Sequence, residues 1–291
     1  MTWATFPAPI SVPMRARTKW RQIAIYYAIA CGVSWTIWAP LVLGRDGLDL
    51  LHIAPPPPVI ISTGTLGPLL ACYLTHRLRT GNWRAVQFLP RHRLRGLWLV
   101  LGPMLILLCF FVVFPALISK GPLSTWRWHL RVLGGILVPM FNYNLLGGPL
   151  FEEFGWRGFL QSQLQEVLPP WIAAICVGVI WAAWHLPLFL VQGWSNASPV
   201  AYPLILVGLS TVMAFGFNAS EKSVAAAILM HSAFNSSPQF LPAYLYGGSM
   251  RAHPTAEWLI AASFLLAGAV LVIVTRGRLA ASGTTDRLQP T

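Results

Sequence analysis

The chain has 291 residues, of which 56% are hydrophobic and only 10% are charged. This composition excludes an ordinary soluble domain, in which about 25% of the residues are charged. The net charge of +12 does not indicate nucleic-acid binding, because the basic residues lie in short segments between apolar runs, as membrane topology requires. The sequence therefore predicts an all-α, polytopic membrane protein that binds no nucleic acid.

Eight apolar runs approach or exceed the roughly 20 residues that a membrane-spanning helix needs. In chain order, the runs cover residues 23–43, 57–74, 97–118, 133–164, 171–191, 200–217, 224–246 and 256–274. We predict a bundle of about eight transmembrane helices that forms a single membrane domain over residues 1–291. The polar tail at 279–291 is expected to be disordered.

The distribution of basic residues predicts the orientation of this bundle. Of the 20 Lys and Arg residues, Arg157 is assigned to the membrane interior, 14 fall on one side and five on the other. Because Lys and Arg concentrate on the cytoplasmic side, we expect both termini there, as an even number of spans requires. We therefore predict a multi-pass protein of the cell membrane.

Two of the eight acidic residues, Glu152 and Glu153, are adjacent in an apolar stretch. Ionisable residues at membrane depth generally mark functional sites. Since residues four apart share a helical face, Glu153 is predicted to pair with Arg157, while Glu152 faces elsewhere and has no such partner.

Two histidines and an asparagine are predicted to approach Glu152. Glu152 lies 16 residues before Leu168, at the turn between the fourth and fifth runs, and His185 lies 17 residues after it. At ~1.5 Å per residue, both lie roughly 25 Å along their helices from the turn, so they can face one another. In the seventh run, His231 and Asn235 share a helical face.

Such a cluster suits the activation of water, by two alternative routes. A carboxylate in a site of low dielectric can accept a proton from water, while histidine and asparagine orient the water or stabilise an oxyanion. Alternatively, Glu152, His185 and His231 hold a divalent metal such as zinc, whose bound water is the nucleophile. The chain has no His-Glu-x-x-His motif, and the spacing leaves both routes open.

Three ordered motifs resemble those of the CPBP intramembrane proteases, also called the ABI family. They are Glu-Glu-x-x-x-Arg at 152–157, aromatic-x-x-x-His at 181–185 and His-x-x-x-Asn at 231–235. The family includes the type II CAAX prenyl endopeptidases (CAAX prenyl protease 2-like proteins) and bacteriocin-processing relatives. The resemblance implies a catalytic core at about 133–235, preceded by additional helices at about 23–118.

The resemblance also implies a role for each motif residue. It assigns water activation to Glu152, completion of the site to His185, His231 and Asn235, and stabilisation to Glu153 and Arg157. It implies an endopeptidase acting on a hydrophobic peptide or protein, either prenylated or a bacteriocin-like precursor. The second motif usually has Phe where this chain has Trp181, which alters the shape of the substrate groove.

Three other interpretations of the same residues are considered. A haem ligated by His185 and His231 leaves both glutamates unexplained. An ion- or proton-coupled carrier is expected to have repeated halves, which the sequence does not show. A non-catalytic scaffold is expected to have lost motif residues, whereas every polar position of the three motifs is intact.

Overall fold

The computed structural model describes residues 14–81, 87–109, 143–194, 198–237 and 254–281. Within these ranges every regular element is helical and no strand occurs, which confirms the all-α prediction. The α-helices are α1 Met14–Leu43, α2 Pro57–Gly64, α3 Leu66–Thr80, α4 Arg93–Gly96, α5 Trp98–Leu108, α6 Tyr143–Leu146, α7 Pro149–Glu153, α8 Ser162–Leu164, α9 Pro170–Trp184, α10 Ala201–Ala219, α11 Val224–Ser236 and α12 Pro254–Val274. A π-helix, Phe154–Gln161, joins α7 to α8, and a 3₁₀-helix, Leu186–Leu190, follows α9.

Five helical segments of the described chain are long and apolar enough to cross a membrane. They are Thr18–Leu43, Pro57–Leu78, Pro170–Leu190, Ala201–Ala219 and Glu257–Val274. These segments correspond to the first, second, fifth, sixth and eighth predicted runs, so the protein is a multi-pass membrane protein.

The third and seventh predicted runs are described only in part. Helix α5 begins the third run, and α11 is a shorter apolar helix within the seventh. The remainders of these predictions, 110–118 and 238–246, lie outside the described residues. The side chain of Ser223 caps α11 by accepting a hydrogen bond from the Ala226 N–H at 3.4 Å, which satisfies one of the free donors at the helix start.

The fourth run was predicted as one long helix over 133–164, and its described part is broken into several short elements. A turn at Gly147 and Gly148 separates α6 from α7, and Pro149 begins α7, a position where proline's missing N–H costs nothing. The π-helix then follows directly after Glu153. Single π-helical turns inside α-helices often occur at functional sites. Residues 133–142 lie outside the described chain.

Helix α10 lies at the centre of the packing and contacts α9, α12 and α11, while α1 packs along α3. Glycines permit the closest approaches at α10. A Cβ on Gly178 of α9 would lie 2.7 Å from the Val207 Cα, and one on Gly208 would lie 2.6 Å from the Leu265 nitrogen. Small residues let membrane helices pack backbone to backbone in this way.

The described chain continues three residues into the segment predicted as a disordered tail. Leu279 is fully buried against Ala174 and Ala214, and its carbonyl accepts a hydrogen bond from Asn218 Nδ2 at 3.0 Å. The first residue of that segment is therefore packed against α9 and α10. Residues 282–291 of the predicted tail lie outside the described chain.

Candidate active site

One cavity brings together the four residues predicted to form the site. Glu152, His185, His231 and Asn235 all line this cavity, whose volume is about 170 Å³. Much of the remaining wall is aromatic, contributed by Trp38, Trp181, Trp184, Trp194, Tyr202 and Phe234. The cavity therefore presents a small set of polar groups within apolar walls, as ligand sites commonly do.

Glu152 is held by neutral donors. Its Oε2 atom accepts hydrogen bonds from the indole N–H of Trp181 at 2.8 Å and from that of Trp156 at 3.3 Å. Trp156 lies one helical turn after Glu152, whereas Trp181 comes from α9. The sequence indicated no partner for Glu152 on its own helix, and the structure supplies two indole donors, one from its own helix and one from α9.

Glu153 is held by basic groups. Its Oε1 atom accepts a hydrogen bond from Arg157 Nη1 at 3.0 Å and lies 2.8 Å from His231 Nδ1. Glu153 and Arg157 are fully buried, and their pairing is the one that the spacing of four predicts. A carboxylate only accepts hydrogen bonds, so the proton in its contact with His231 belongs to Nδ1.

The partner of His231 differs from the predicted one. His231 was expected to approach Glu152, and its Nδ1 instead contacts Glu153. Neighbouring residues on a helix point about 100° apart, so the position of α11 decides which glutamate it meets. The sequence gives no measure of that position.

His185 reaches the cavity at the end of α9. Its Nδ1 lies 2.9 Å from the Trp181 carbonyl oxygen, which accepts and therefore places the proton on Nδ1. The rings of Trp184, Trp194 and Tyr202 lie 4.6, 5.5 and 5.4 Å from the imidazole. In the described residues no hydrogen bond joins His185 to Glu152, so the hairpin places both on one cavity without a direct contact.

Trp181 connects the parts of the site. Its indole N–H binds Glu152 and its carbonyl binds His185, while the guanidinium carbon of Arg157 lies 4.6 Å from its ring centroid. The ring also packs edge-on against His231, with centroids 4.9 Å apart. A cation over an indole face is a favourable arrangement.

The sequence did not predict the contact between Trp181 and Glu152. There, Trp181 was identified only as the aromatic residue of the second motif. Its signal was its place one turn before His185, deep in an apolar run. A buried indole N–H normally finds an acceptor, and the adjacent carboxylates were the obvious acceptors at that depth.

The described residues do not assemble the proposed zinc ligands. No group of three or more His, Cys, Asp or Glu side chains in the described part of the chain is arranged to hold a metal ion. In each predicted ligand one donor atom is engaged by the protein: Oε2 of Glu152, Nδ1 of His185 and Nδ1 of His231. The four cysteines are free, three of them buried and Cys176 half-buried, and each lies in a different apolar run.

Comparisons with known proteins agree with the motifs. Residues 134–237 match the family model described as "Type II CAAX prenyl endopeptidase Rce1-like". The chain is also similar to "CAAX prenyl protease 2" of Methanococcus maripaludis, with 24% identity over 155 residues that cover 48% of this chain and 56% of that relative. The chain thus spans little more than half of the curated relative, and every motif residue discussed above lies within 134–237. Both matches support the assignment to the CPBP family that the three motifs predicted.

Proposed function

We propose that the protein is an intramembrane endopeptidase that hydrolyses peptide bonds of hydrophobic, lipid-modified or membrane-associated peptides. The observation that carries this proposal is Glu152, a carboxylate in the wall of an aromatic cavity that also contains His185, His231 and Asn235. A buried carboxylate whose hydrogen-bond donors are neutral indoles can serve as a general base, because no salt bridge occupies its oxygens.

Glu152 acts through the oxygen that the indoles leave open. Trp156 and Trp181 both bind Oε2, and no hydrogen bond from the described residues reaches Oε1. A Cβ on residue 148 would lie 2.7 Å from Oε1, so glycine at this position keeps a side chain away from that oxygen, which binds the attacking water. Oε1 takes a proton from that water while the water oxygen forms a bond to the carbonyl carbon of the peptide.

The histidines and Asn235 act on the other atoms of the reaction. With its Nδ1 proton bound to the Trp181 carbonyl, a neutral His185 has Nε2 as an acceptor that orients the water. The Asn235 carboxamide donates a hydrogen bond to the oxyanion, and His231, whose Nδ1–H is donated to Glu153, completes the cavity wall beside it. Glu152 then returns its proton to the leaving nitrogen as the carbon–nitrogen bond breaks.

Glu153 and Arg157 support this arrangement. Glu153 binds His231, and Arg157 binds Glu153 and packs on the face of Trp181. A buried ion pair costs desolvation energy but fixes the geometry of its neighbours as long as both partners remain. We assign these two residues to positioning and not to the reaction itself.

The substrate is proposed from the cavity and the comparisons together. Aromatic walls favour an apolar segment or a lipid group near the scissile bond, and the name of the curated relative points to a prenylated peptide. A bacteriocin-like precursor has the same apolar character. We further propose that the protein acts in the cell membrane with both termini in the cytoplasm, as the 14 to five distribution of basic residues predicts.

The test is a cleavage assay on the purified, detergent-solubilised protein. Prenylated and unprenylated forms of one peptide library are incubated with the parent and with Glu152→Gln, and the products are identified by mass spectrometry. We expect defined internal cleavage by the parent and none by the variant. Equal cleavage by Glu152→Gln would overturn the assignment of the base, and preference for the prenylated library identifies the substrate class.

A chelator arm decides between the two routes of water activation. The route through a water activated by Glu152 alone predicts full activity after incubation with a chelator. Loss of activity that added zinc restores would favour the metal route. A Soret band in the purified protein, or solute uptake by proteoliposomes without cleavage, would instead favour the haem or carrier interpretation.

A further inference from the structure

A row of buried polar side chains leads away from the candidate active site. Glu153, Arg157, Gln161 and Gln165 follow one another at a spacing of four, through the π-helix and past α8. We call these four residues the polar row. Three of them are fully buried, and Gln165 is 4% exposed.

The polar row has far more hydrogen-bonding capacity than the protein satisfies. Seven of the 14 buried, unpartnered side-chain atoms in the described residues belong to it. They are Glu153 Oε2, Arg157 Nε and Nη2, and both amide atoms of Gln161 and Gln165. Leaving such atoms dry is costly, and proteins normally satisfy them with internal water.

Packing alone does not account for amides at these positions. Leu160 and Leu164, each the residue immediately before one of the glutamines, are also buried and lie in the apolar core. The same stretch of chain therefore fills buried space with leucine wherever only volume is needed. The glutamines mark a face that remains polar along its whole length.

The two ends of the polar row have different surroundings. At one end, Glu153 contacts His231, which lines the cavity. At the other end, Glu166 follows Gln165 and pairs with Lys19 at 2.8 Å, and the Glu166 side chain is 43% exposed. From Glu153 to Gln165 the row extends roughly 18 Å at ~1.5 Å per residue. It therefore joins the protein surface to the polar groups behind the cavity.

Further unpartnered groups from α1 lie along the same course. Gln22 Oε1 is buried without a partner one turn after Lys19. The Tyr26 hydroxyl is likewise unpartnered, and a Cβ on Gly155 would contact it. These atoms belong to α1, which contacts the start of this segment through Tyr26 and its end through Lys19, so unsatisfied polar groups are found on two neighbouring helices.

We propose that the polar row binds a file of water molecules that runs from the surface near Lys19 and Glu166 to the Glu153 and Arg157 pair. Water is the second substrate of a peptidase, so the role of this file rests on the proposed function. None of the four residues lines the cavity. The file therefore supplies water by a route that remains open when a peptide fills the cavity.

The first test measures access of water directly and does not depend on activity. Gln161→Cys and Leu160→Cys are treated in parallel with a small, positively charged methanethiosulfonate, and the parent corrects for the four native cysteines. Both positions are fully buried, so burial alone predicts equal reactivity. We expect Gln161→Cys to react at least ~10-fold faster, because thiolate formation and reagent entry both need water. Equal rates would overturn the proposal.

The second test measures turnover. Gln161→Leu removes both amide atoms at similar volume, and Gln192→Leu makes the same change at an exposed position outside the row. We expect Gln161→Leu to lower kcat by about tenfold, the equivalent of one lost hydrogen bond to a bound water, with KM unchanged, and Gln161→Asn to recover part of it. Equal kcat in both Leu variants would contradict the proposal.

The two tests separate failure of the water file from failure of the proposed function. A parent that cleaves no peptide while Gln161→Cys reacts rapidly would refute the peptidase and retain the hydrated row. A cleaving parent with an unreactive Gln161→Cys would refute the row and retain the peptidase.

Discussion

Two adjacent carboxylates occupy opposite environments in this protein. Glu152 faces the cavity and accepts hydrogen bonds from two neutral indoles, whereas Glu153 is packed behind it against Arg157 and His231. Each of them has a partner one turn later, Trp156 for the first and Arg157 for the second. Neutral donors orient a carboxylate without neutralising it, and a cation does both, so two consecutive residues can present carboxylates in different electrostatic environments.

The largest effect is expected from Glu152→Gln. Gln retains an acceptor for the indoles but cannot take a proton, so we expect activity to fall by roughly 10²–10⁴-fold with little change in melting temperature. Peptide cleavage and thermal unfolding in detergent check both parts. Glu221→Gln, the same change on a side chain that is 26% exposed and lies outside both the cavity and the polar row, is the matched control and should leave cleavage unaltered.

The opposite pattern is expected for the second glutamate. Glu153→Gln or Arg157→Met leaves one buried charge without its partner, which typically costs about 3–5 kcal/mol. We therefore expect low yield and a lowered melting temperature in each single variant. The double variant Glu153→Gln with Arg157→Met should recover much of the lost stability. Single variants as stable as the parent would show that the ion pair does not stabilise the site.

Trp181→Phe tests how much the indole donors of Glu152 contribute to its difference from Glu153. It retains an aromatic ring, which is the usual residue of the family motif, and deletes the indole N–H that binds Glu152. A hydrogen bond to a charged group contributes about 1.5–3 kcal/mol, so we expect activity to fall about tenfold or more. Steady-state kinetics measure this, with Trp171→Phe at a partly exposed position as control; an unchanged kcat would mean that Trp156 alone orients Glu152.

The smallest effect is expected at the surface pair. Lys19 and Glu166 lie 2.8 Å apart, but the Glu166 side chain is 43% exposed. Exposed pairs are screened by solvent and contribute about 0–1 kcal/mol, so Lys19→Met should shift the melting temperature only slightly. A loss as large as that for Arg157→Met would show that burial does not distinguish the two pairs.

The spacing of residues along the helices predicted several contacts and positions in the site. The Glu153 and Arg157 pair follows from residues four apart, and the equal distances of Glu152 and His185 from their turn place both on one cavity. The contact between Glu153 and His231 did not follow, since it depends on how α11 is rotated and tilted against α7. The sequence also could not predict that the fourth run is broken into short elements. The periodicity of apolar residues does not show whether the backbone forms α-helical or π-helical hydrogen bonds.

The amino-acid sequence by itself determined that this is an all-α membrane protein and which acid has a basic partner on its own helix. These properties depend on composition and on contacts within one or two turns, which are local. Only the tertiary structure decided that Trp181 donates a hydrogen bond to Glu152, that His231 contacts Glu153, and that Gln161 and Gln165 are buried. Those contacts join different helices or depend on which faces become buried, and neither property is encoded in the spacing of residues along one helix.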